Sequence, residues 1–323
     1  MKKVLVTGAT GFIGRHLCNT LVLSGYNVTG TTRSPEYATR SGSYELKITG
    51  DIGAQIDWAP VLRDVDYVVH LAARVHVMSE AAVDPLAVFR RVNSWGSEEL
   101  ARSAAIAGVK RLIYISTIKV LGEKTEGRPF RCTDKVAPCD PYAISKLEAE
   151  EALHSVAEKE GLEIVILRPP LVYGPSVGGN FLRVLSLVSR GIPLPLGMIQ
   201  NARSMLAVSN FCDVIQISLE HPAAVGRTFL VADGKDISTP ELFRMIGSLM
   251  DKSVWLLPVP EQLLKLGGKI FRRSNEVARL CDSLQVDIEN TKNVLSWSPR
   301  TSLEDGIRSV VQWYLAQEQQ TND

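Results

Sequence analysis

KVLVTGATGFIG, residues 3–14, is the stretch on which the fold of this chain turns. Lys3 to Thr7 reads as a short buried strand, and Gly8, Gly11 and Gly14 follow as a G-x-x-G-x-x-G run at the mouth of a helix. That junction makes a phosphate site. Gly8 permits the tight turn, Gly11 lets the backbone approach a pyrophosphate, and Gly14 lets the helix pack close to the sheet. The helix N-terminus adds unpaired N–H groups and the positive end of its dipole. The spacing differs from the commoner G-x-G-x-x-G, and a bare glycine trio says little. Its place one strand into an α/β pattern makes it a dinucleotide signal.

The rest of the chain supplies that pattern. Phe12 to Ser24 carries apolar residues at helical spacing and ends at Gly25. Strands follow at Asn27 to Thr32, Asp66 to Leu71, Lys110 to Ser116 and Glu163 to Leu167, with helices at Pro85 to Ala107 and Pro141 to Lys159. Strands alternating with helices of this length imply parallel pairing through crossovers. The expected fold is α/β, a Rossmann-type doubly wound parallel sheet with a smaller C-terminal substrate-binding cap. Residues 1–170 form the NAD(P)-binding part, completed by segments near 204–232; residues 171–203 and 233–323 form the cap. Met205 to Val208 and Thr228 to Val231 are both expected to return to the first sheet, and Thr239–Asp251, Glu261–Phe271 and Leu303–Gln317 read as cap helices.

The totals exclude several classes. The chain has 323 residues, 45% of them hydrophobic, with a formal net charge of +1. That permits a large core and gives no argument for a nucleic-acid partner. No apolar run approaches the ~18 residues of a spanning helix, so no membrane partner is expected. The N-terminal Val4-Leu5-Val6 is broken too early by Thr7 and the glycines for an export signal. The five cysteines are dispersed, without metal spacing, and read as reduced thiols of a cytoplasmic protein; no metal is expected.

Three further places bear on a cofactor. The second strand ends Thr29-Gly30-Thr31-Thr32-Arg33-Ser34, where an NAD site usually has an acid for the ribose 2′-hydroxyl. Arg33 is placed instead to meet a 2′-phosphate with a bidentate fork, which favours NADP(H) over NAD(H). Asp51 with Ile52 is positioned for the adenine amino group. Leu71, Ala72 and Ala73 end a strand with small residues, as close backbone approach requires.

The reacting groups lie later. Tyr142 and Lys146 are four apart on a helix and share one face. An ammonium beside a phenol favours the phenolate, so the tyrosine pKa is expected below ~10 and proton exchange near neutral pH becomes feasible. Thr117, after Ser116 at the end of a strand, can hydrogen-bond the same substrate oxygen.

With these residues in view, the chain resembles the extended short-chain dehydrogenase/reductases of the NAD-dependent epimerase/dehydratase family over nearly all its length. The matching motifs are residues 7–14, Asp51-Ile52, His70-Leu71-Ala72-Ala73, Val92-Asn93, Ser116-Thr117, Tyr142-Ala143-Ile144-Ser145-Lys146 and Arg168-Pro169-Pro170. The resemblance implies Thr117, Tyr142 and Lys146 as catalytic residues. It adds Phe12, Ile13, Asn93, Ser116 and Pro169, with Tyr142 and Lys146, to the cofactor site. It implies a UDP-sugar substrate, with Asn180 and Arg203 at the diphosphate, and a homodimer through a four-helix contact.

One departure matters. Where UDP-glucose epimerases usually read Ser-Ser-Ala-x-Val-Tyr-Gly, this chain has Ser116-Thr117-Ile118-Lys119-Val120-Leu121-Gly122. With Arg74-Val75-His76-Val77-Met78, this looks more like a bacterial branch around UDP-N-acetylquinovosamine dehydrogenases, which places Arg74, His76 and Lys119 in the sugar pocket. The expectation is an oxidoreductase at carbon 4 of a UDP-hexosamine, leaning to a 4-keto-sugar reductase of surface-polysaccharide synthesis. A UDP-hexose or UDP-N-acetylhexosamine 4-epimerase is the alternative, because the same residues serve both. A non-catalytic NADP-binding regulator is a remote third, since such proteins often lose the Tyr or Lys kept here.

Overall fold

The computed structural model describes residues 1–34, 36, 43–53, 55–75, 84–271 and 273–322. Its strands are β1 Lys3–Thr7, β2 Asn27–Thr32, β3 Glu45–Ile48, β4 Tyr67–His70, β5 Arg111–Ile115, β6 Glu163–Arg168, β7 Leu171–Tyr173, β8 Met205–Ala207 and β9 Thr228–Leu230. The helices used below are α1 Phe12–Leu23, α2 Gly96–Ile106, α3 Pro141–Glu160, α4 Gly179–Ser189, α5 Val208–Glu220, α6 Glu261–Ile270 and α7 Ser274–Cys281.

One parallel sheet runs β3-β2-β1-β4-β5-β6-β9. The chain leaves β1 toward β2 on one side, then crosses back from β3 to β4 on the other. The carboxyl ends of β1 and β4 therefore flank the switch point where such sheets bind ligands. The register sets Thr7 beside His70 there.

Strand alternation divides the core. Val4, Val6, Val69, Ile113, Val165 and Leu167 pack with Leu17 and Leu21 of α1 and Phe211 and Ile215 of α5. Leu5, Val68, Leu112, Ile164 and Ile166 pack on the other face with Trp58, Leu100 of α2 and Leu153 of α3. Burial on both faces is why these strands read as unbroken apolar runs, each such side chain contributing about 2 kcal/mol. A third cluster, with Tyr173, Phe181, Leu185, Phe243, Ile246, Ile307 and Val310, joins segments after β6 to the C-terminal helices.

One expectation needs correction. Thr228–Leu230 does return to the main sheet beside β6, but Met205–Ala207 does not: it pairs with Leu171–Tyr173 in a separate two-stranded sheet. Both pieces are short and apolar, so composition could not separate them. The helix expected across 85–107 is present and holds a π-type turn: it runs as Pro85–Phe89, the wide turn at Arg90–Trp95, and then α2.

Candidate active site

The glycines behave as their spacing demands. Gly8 has φ +69°, and a Cβ there would lie 2.9 Å from the backbone nitrogen of Ala72. On Gly14 a Cβ would approach the Gly8 carbonyl oxygen to 2.2 Å. Both places are closed to any side chain because β1, α1 and the end of β4 pack backbone to backbone. Gly11 starts α1 with no side chain capping it. The first amides of the helix are left for an anion, and these residues fit the pyrophosphate of a dinucleotide.

Behind the cradle lies a buried hydrogen-bond chain. The Ala72 N–H donates to Thr7 Oγ1 at 3.2 Å, and Thr7 Oγ1 lies 2.6 Å from His70 Nδ1. His70 Nε2 lies 2.9 Å from Ser97 Oγ, which donates to the Asn93 carbonyl at 2.5 Å. Because Ser97 spends its proton on Asn93, His70 donates from Nε2. Burial, with Lys146 nearby, pushes its pKa down to about 3, which keeps it neutral across the working range.

Asn93 sits in the π-type turn. Its side chain accepts from the Arg74 N–H at 2.8 Å and donates to the Arg74 carbonyl at 3.0 Å and Ser145 Oγ at 3.0 Å. It thus ties the segment following β4 to α3, one residue from Lys146. The widened turn is the local feature that periodicity could not reveal; π-turns of this kind recur at functional sites.

α3 places Tyr142 and Lys146. Asp140 caps it by accepting from the Ala143 N–H at 2.7 Å, Pro141 opens it, and Gly161 closes it at φ +75°. Thr117 is buried at the end of β5, its Oγ1 accepting from the Lys119 N–H at 3.3 Å. The next amide, Ile118, donates to the Pro169 carbonyl at 2.9 Å, so Pro169 holds this loop.

The expected lowering of the tyrosine pKa is not what the structure holds. Burial raises the Tyr142 phenol, and the Asp140 carboxylate pushes the same way. Lys146 is buried, its Nζ 4.0 Å from the centroid of the Tyr114 ring, a cation–π seat. Burial pushes its pKa down to about 7, against an upward pull from Glu150. Desolvation outweighs the pairing that spacing alone suggested.

Glu150, one turn beyond Lys146, was not singled out by sequence. Its carboxylate accepts from Arg168 Nε at 3.0 Å and Nη2 at 2.5 Å, and from the Ser116 hydroxyl, with all three residues buried. Ser116 therefore faces this cluster. Glu150→Ala leaves the Arg168 guanidinium buried and unpaired. It should cost about 3–5 kcal/mol, read as a lower chemical-denaturation midpoint; an unchanged midpoint would show the pair to be dispensable.

The remaining candidates are spread out. Arg33 and Asp51 come together across 3.6 Å, with the Arg33 side chain 78% exposed. Ile52 is buried against the second core cluster. Leu71 and Ala73 flank Ala72 beneath Gly8, and Phe12 and Ile13 open α1. The Arg74 guanidinium lies 5.9 Å from the Phe89 ring, which meets Tyr142 edge-on at 6.1 Å. Arg74 is thereby linked to the tyrosine through one aromatic ring. Lys119 is engaged with Asp140 at 2.5 Å and Glu123 at 2.9 Å, steadying the start of α3. His76 lies outside the described residues.

Asn180 is exposed in the first turn of α4. Arg203 Nη1 donates to the Asp282 carbonyl at 2.9 Å, and its backbone pairs with Ile237. Burial lowers the Arg203 pKa, Asp282 pulls it up and Arg279 pushes it down. Arg279 is exposed on α7 and was not singled out by sequence.

A glycine cradle at the switch point, a hydroxyl just beyond β5, a phenol and a buried ammonium on α3, and an arginine in the cap can together bind a dinucleotide and a diphosphate-bearing substrate and move a proton. A family model described as the NAD dependent epimerase/dehydratase family matches residues 4–232. A UDP-glucose 4-epimerase from Vibrio cholerae is 44% identical over 317 residues, 97% of this chain and 96% of the relative. An N-acetyl-alpha-D-glucosaminyl-diphospho-ditrans,octacis-undecaprenol 4-epimerase from Escherichia coli O157:H7 is 27% identical over 273 residues, 83% of this chain and 78% of the relative. Among solved structures, a UDP-glucuronic acid 4-epimerase from Bacillus cereus, in complex with UDP-glucuronic acid and NAD, matches with a TM-score of 0.79. It is 25% identical and covers 98% of this chain and 99% of its own.

Proposed function

We propose, of a chain that belongs to the NAD-dependent epimerase/dehydratase family, that it is a 4-epimerase of a UDP-sugar. The observation that carries this is the 44% identity, along nearly the whole length, to a UDP-glucose 4-epimerase. Thr117, Tyr142 and Lys146 are all present. The leaning toward a 4-keto-sugar reductase rested on Arg33 and on Ile118-Lys119-Val120. Arg33 is paired with Asp51 and Lys119 with Asp140, so neither favours reduction. NAD is the cofactor proposed, on the family's description and on the NAD complex of the Bacillus cereus enzyme.

Gly8, Gly11, Gly14 and the first turn of α1 would hold the pyrophosphate, and Asp51 the adenosine end. When bound, the nicotinamide would supply the hydride acceptor and donor for chemistry at carbon 4. Tyr142 takes the proton of the 4-hydroxyl and gives it back. Thr117 hydrogen-bonds the same oxygen, and Lys146, one helical turn from Tyr142, would favour the phenolate when charged. Arg203 would hold the diphosphate, leaving the sugar free to turn.

Stoichiometry tests the reading. Purified protein is incubated separately with UDP-glucose, with UDP-N-acetylglucosamine, and with a 4-keto-6-deoxy UDP-sugar plus NADH or NADPH. Gluco and galacto forms should interconvert with no net change in cofactor. Net loss of reduced cofactor on the keto sugar, without interconversion, would establish the reductase instead.

A further inference from the structure

We propose that Ser116 and Lys119 are positioning residues that clamp the turn carrying Thr117 to α3 at two points, on either side of Tyr142 and Lys146. The Ser116 hydroxyl donates to the Glu150 carboxylate, and the Lys119 ammonium meets Asp140 at 2.5 Å. Thr117 lies between the two anchored residues of the turn, and Tyr142 and Lys146 lie between Asp140 and Glu150 along the helix. The clamp's role rests on the proposed reaction, in which Thr117 and Tyr142 share one sugar oxygen.

What else holds the two elements does not fix this relation. Backbone bonds tie the turn to β6: the Ser116 N–H donates to the Leu167 carbonyl at 2.8 Å, and the Ile118 N–H to the Pro169 carbonyl at 2.9 Å. α3 rests on the sheet through Ala149, Leu153 and Val156, which share a core cluster with Leu112, Ile164 and Ile166. Apolar packing is non-directional, so it buries that face without setting where along its axis the helix stops. Asn93 and Arg90 also reach α3, at Ser145 and Glu148, but from the π-type turn and not from the segment that carries Thr117. The two polar ties to that segment are directional. Asp140 and Glu150 are ten residues apart, about 15 Å along a helix, and a rod pinned at two such points neither slides nor swings past the turn.

The ties differ in kind. Glu150 is buried and also takes Arg168 from the end of β6, so β5, β6 and α3 meet on one carboxylate. The Lys119 and Asp140 side chains are 27% and 19% exposed, so this tie can be removed without opening the core. Asp140 caps α3 through the Ala143 N–H, and the Lys119 N–H donates to Thr117 Oγ1. Lys119 therefore touches both the start of the helix and Thr117.

Two changes to the full chain test the clamp. One is Ser116→Ala. The other is Lys119→Met with Asp140→Asn, which removes the ion pair without leaving a bare carboxylate near the phenol and keeps a good helix cap. Each is made alone and in a Thr117→Val background. Alone, each should lower kcat roughly 10–100-fold, the effect of misplacing a reacting group by up to about 1 Å, with KM changed less than about threefold. In the Thr117→Val background each loss should be about fivefold smaller or less, because the misplaced hydroxyl is already gone. Lys124→Ala, which removes an exposed ion pair with Glu126, should leave kcat unchanged. Equal losses with and without the Thr117 hydroxyl would overturn the proposal. So would crystal structures of both variants in which the separation of Thr117 Oγ1 from Tyr142 Oη stays within about 0.5 Å of wild type. Wild-type protein that does not interconvert gluco and galacto forms would overturn the 4-epimerase reading instead, and the crystal structures then decide the clamp alone.

Discussion

Tyr142→Phe is expected to lower turnover by roughly 10²–10⁴-fold, the usual worth of a positioned proton donor or acceptor, while leaving dinucleotide affinity nearly unchanged. The phenol is the titratable oxygen of the Thr117, Tyr142 and Lys146 set. The ring itself packs edge-on with Phe89 at 6.1 Å, a contact phenylalanine keeps. The loss should therefore fall on chemistry and not on the fold. Burial and Asp140 together hold the phenol above its ordinary range in the ligand-free enzyme. Tyr142 can serve as a base only if added positive charge offsets that burial, and Lys146 is the cation one helical turn away. Turnover by the variant, followed as gluco–galacto interconversion, and its cofactor affinity, followed by fluorescence titration, separate the two effects. Retained turnover would remove Tyr142 from the proton step.

Lys146→Met is expected to do two opposite things: reduce turnover by on the order of a hundredfold or more and raise the melting temperature of the ligand-free protein. The lysine is buried and its pKa is pushed from 10.5 down to about 7. Below pH 7 both folded and unfolded states carry the proton, and the folded state bears the full cost of a desolvated ammonium. Between pH 7 and 10.5 the unfolded chain still binds a proton that the folded protein has released, so the stability contributed by this site rises with pH through that window. The gain from methionine should thus be largest at neutral pH and below, amounting to several degrees, and should fade toward pH 10.5. Thermal melts of both proteins across that range read the trend. A variant less stable than wild type at pH 7 would mean that the seat over Tyr114 and the pull of Glu150 outweigh desolvation.

Much of this was legible in one dimension, for stateable reasons. β1 and the glycine run were readable because backbone-to-backbone packing admits only glycine at Gly8 and Gly14, so geometry leaves a signature in residue type. Tyr142 and Lys146 were readable because they sit on one helix at a fixed offset, and Thr117 because strand ends are easy to locate. By contrast, Met205–Ala207 and Thr228–Leu230 look alike as short apolar runs, yet one joins β7 and the other β6. The π-type turn that seats Asn93 leaves no mark on periodicity. Glu150 and Arg168 are 18 residues apart, and their pairing in the core depends on how α3 lies across β6.

Residue type and spacing along the chain determined the parallel α/β architecture and marked the candidate cradle and candidate reacting groups, because each depends on local backbone geometry or on one element's repeat. Tertiary structure alone decided the electrostatics of those groups: that Tyr142 is raised, that Lys146 is lowered and seated on Tyr114, and that Arg33 meets Asp51. Charge energies depend on burial and on distances between residues remote in sequence, and both come into existence only when the elements pack.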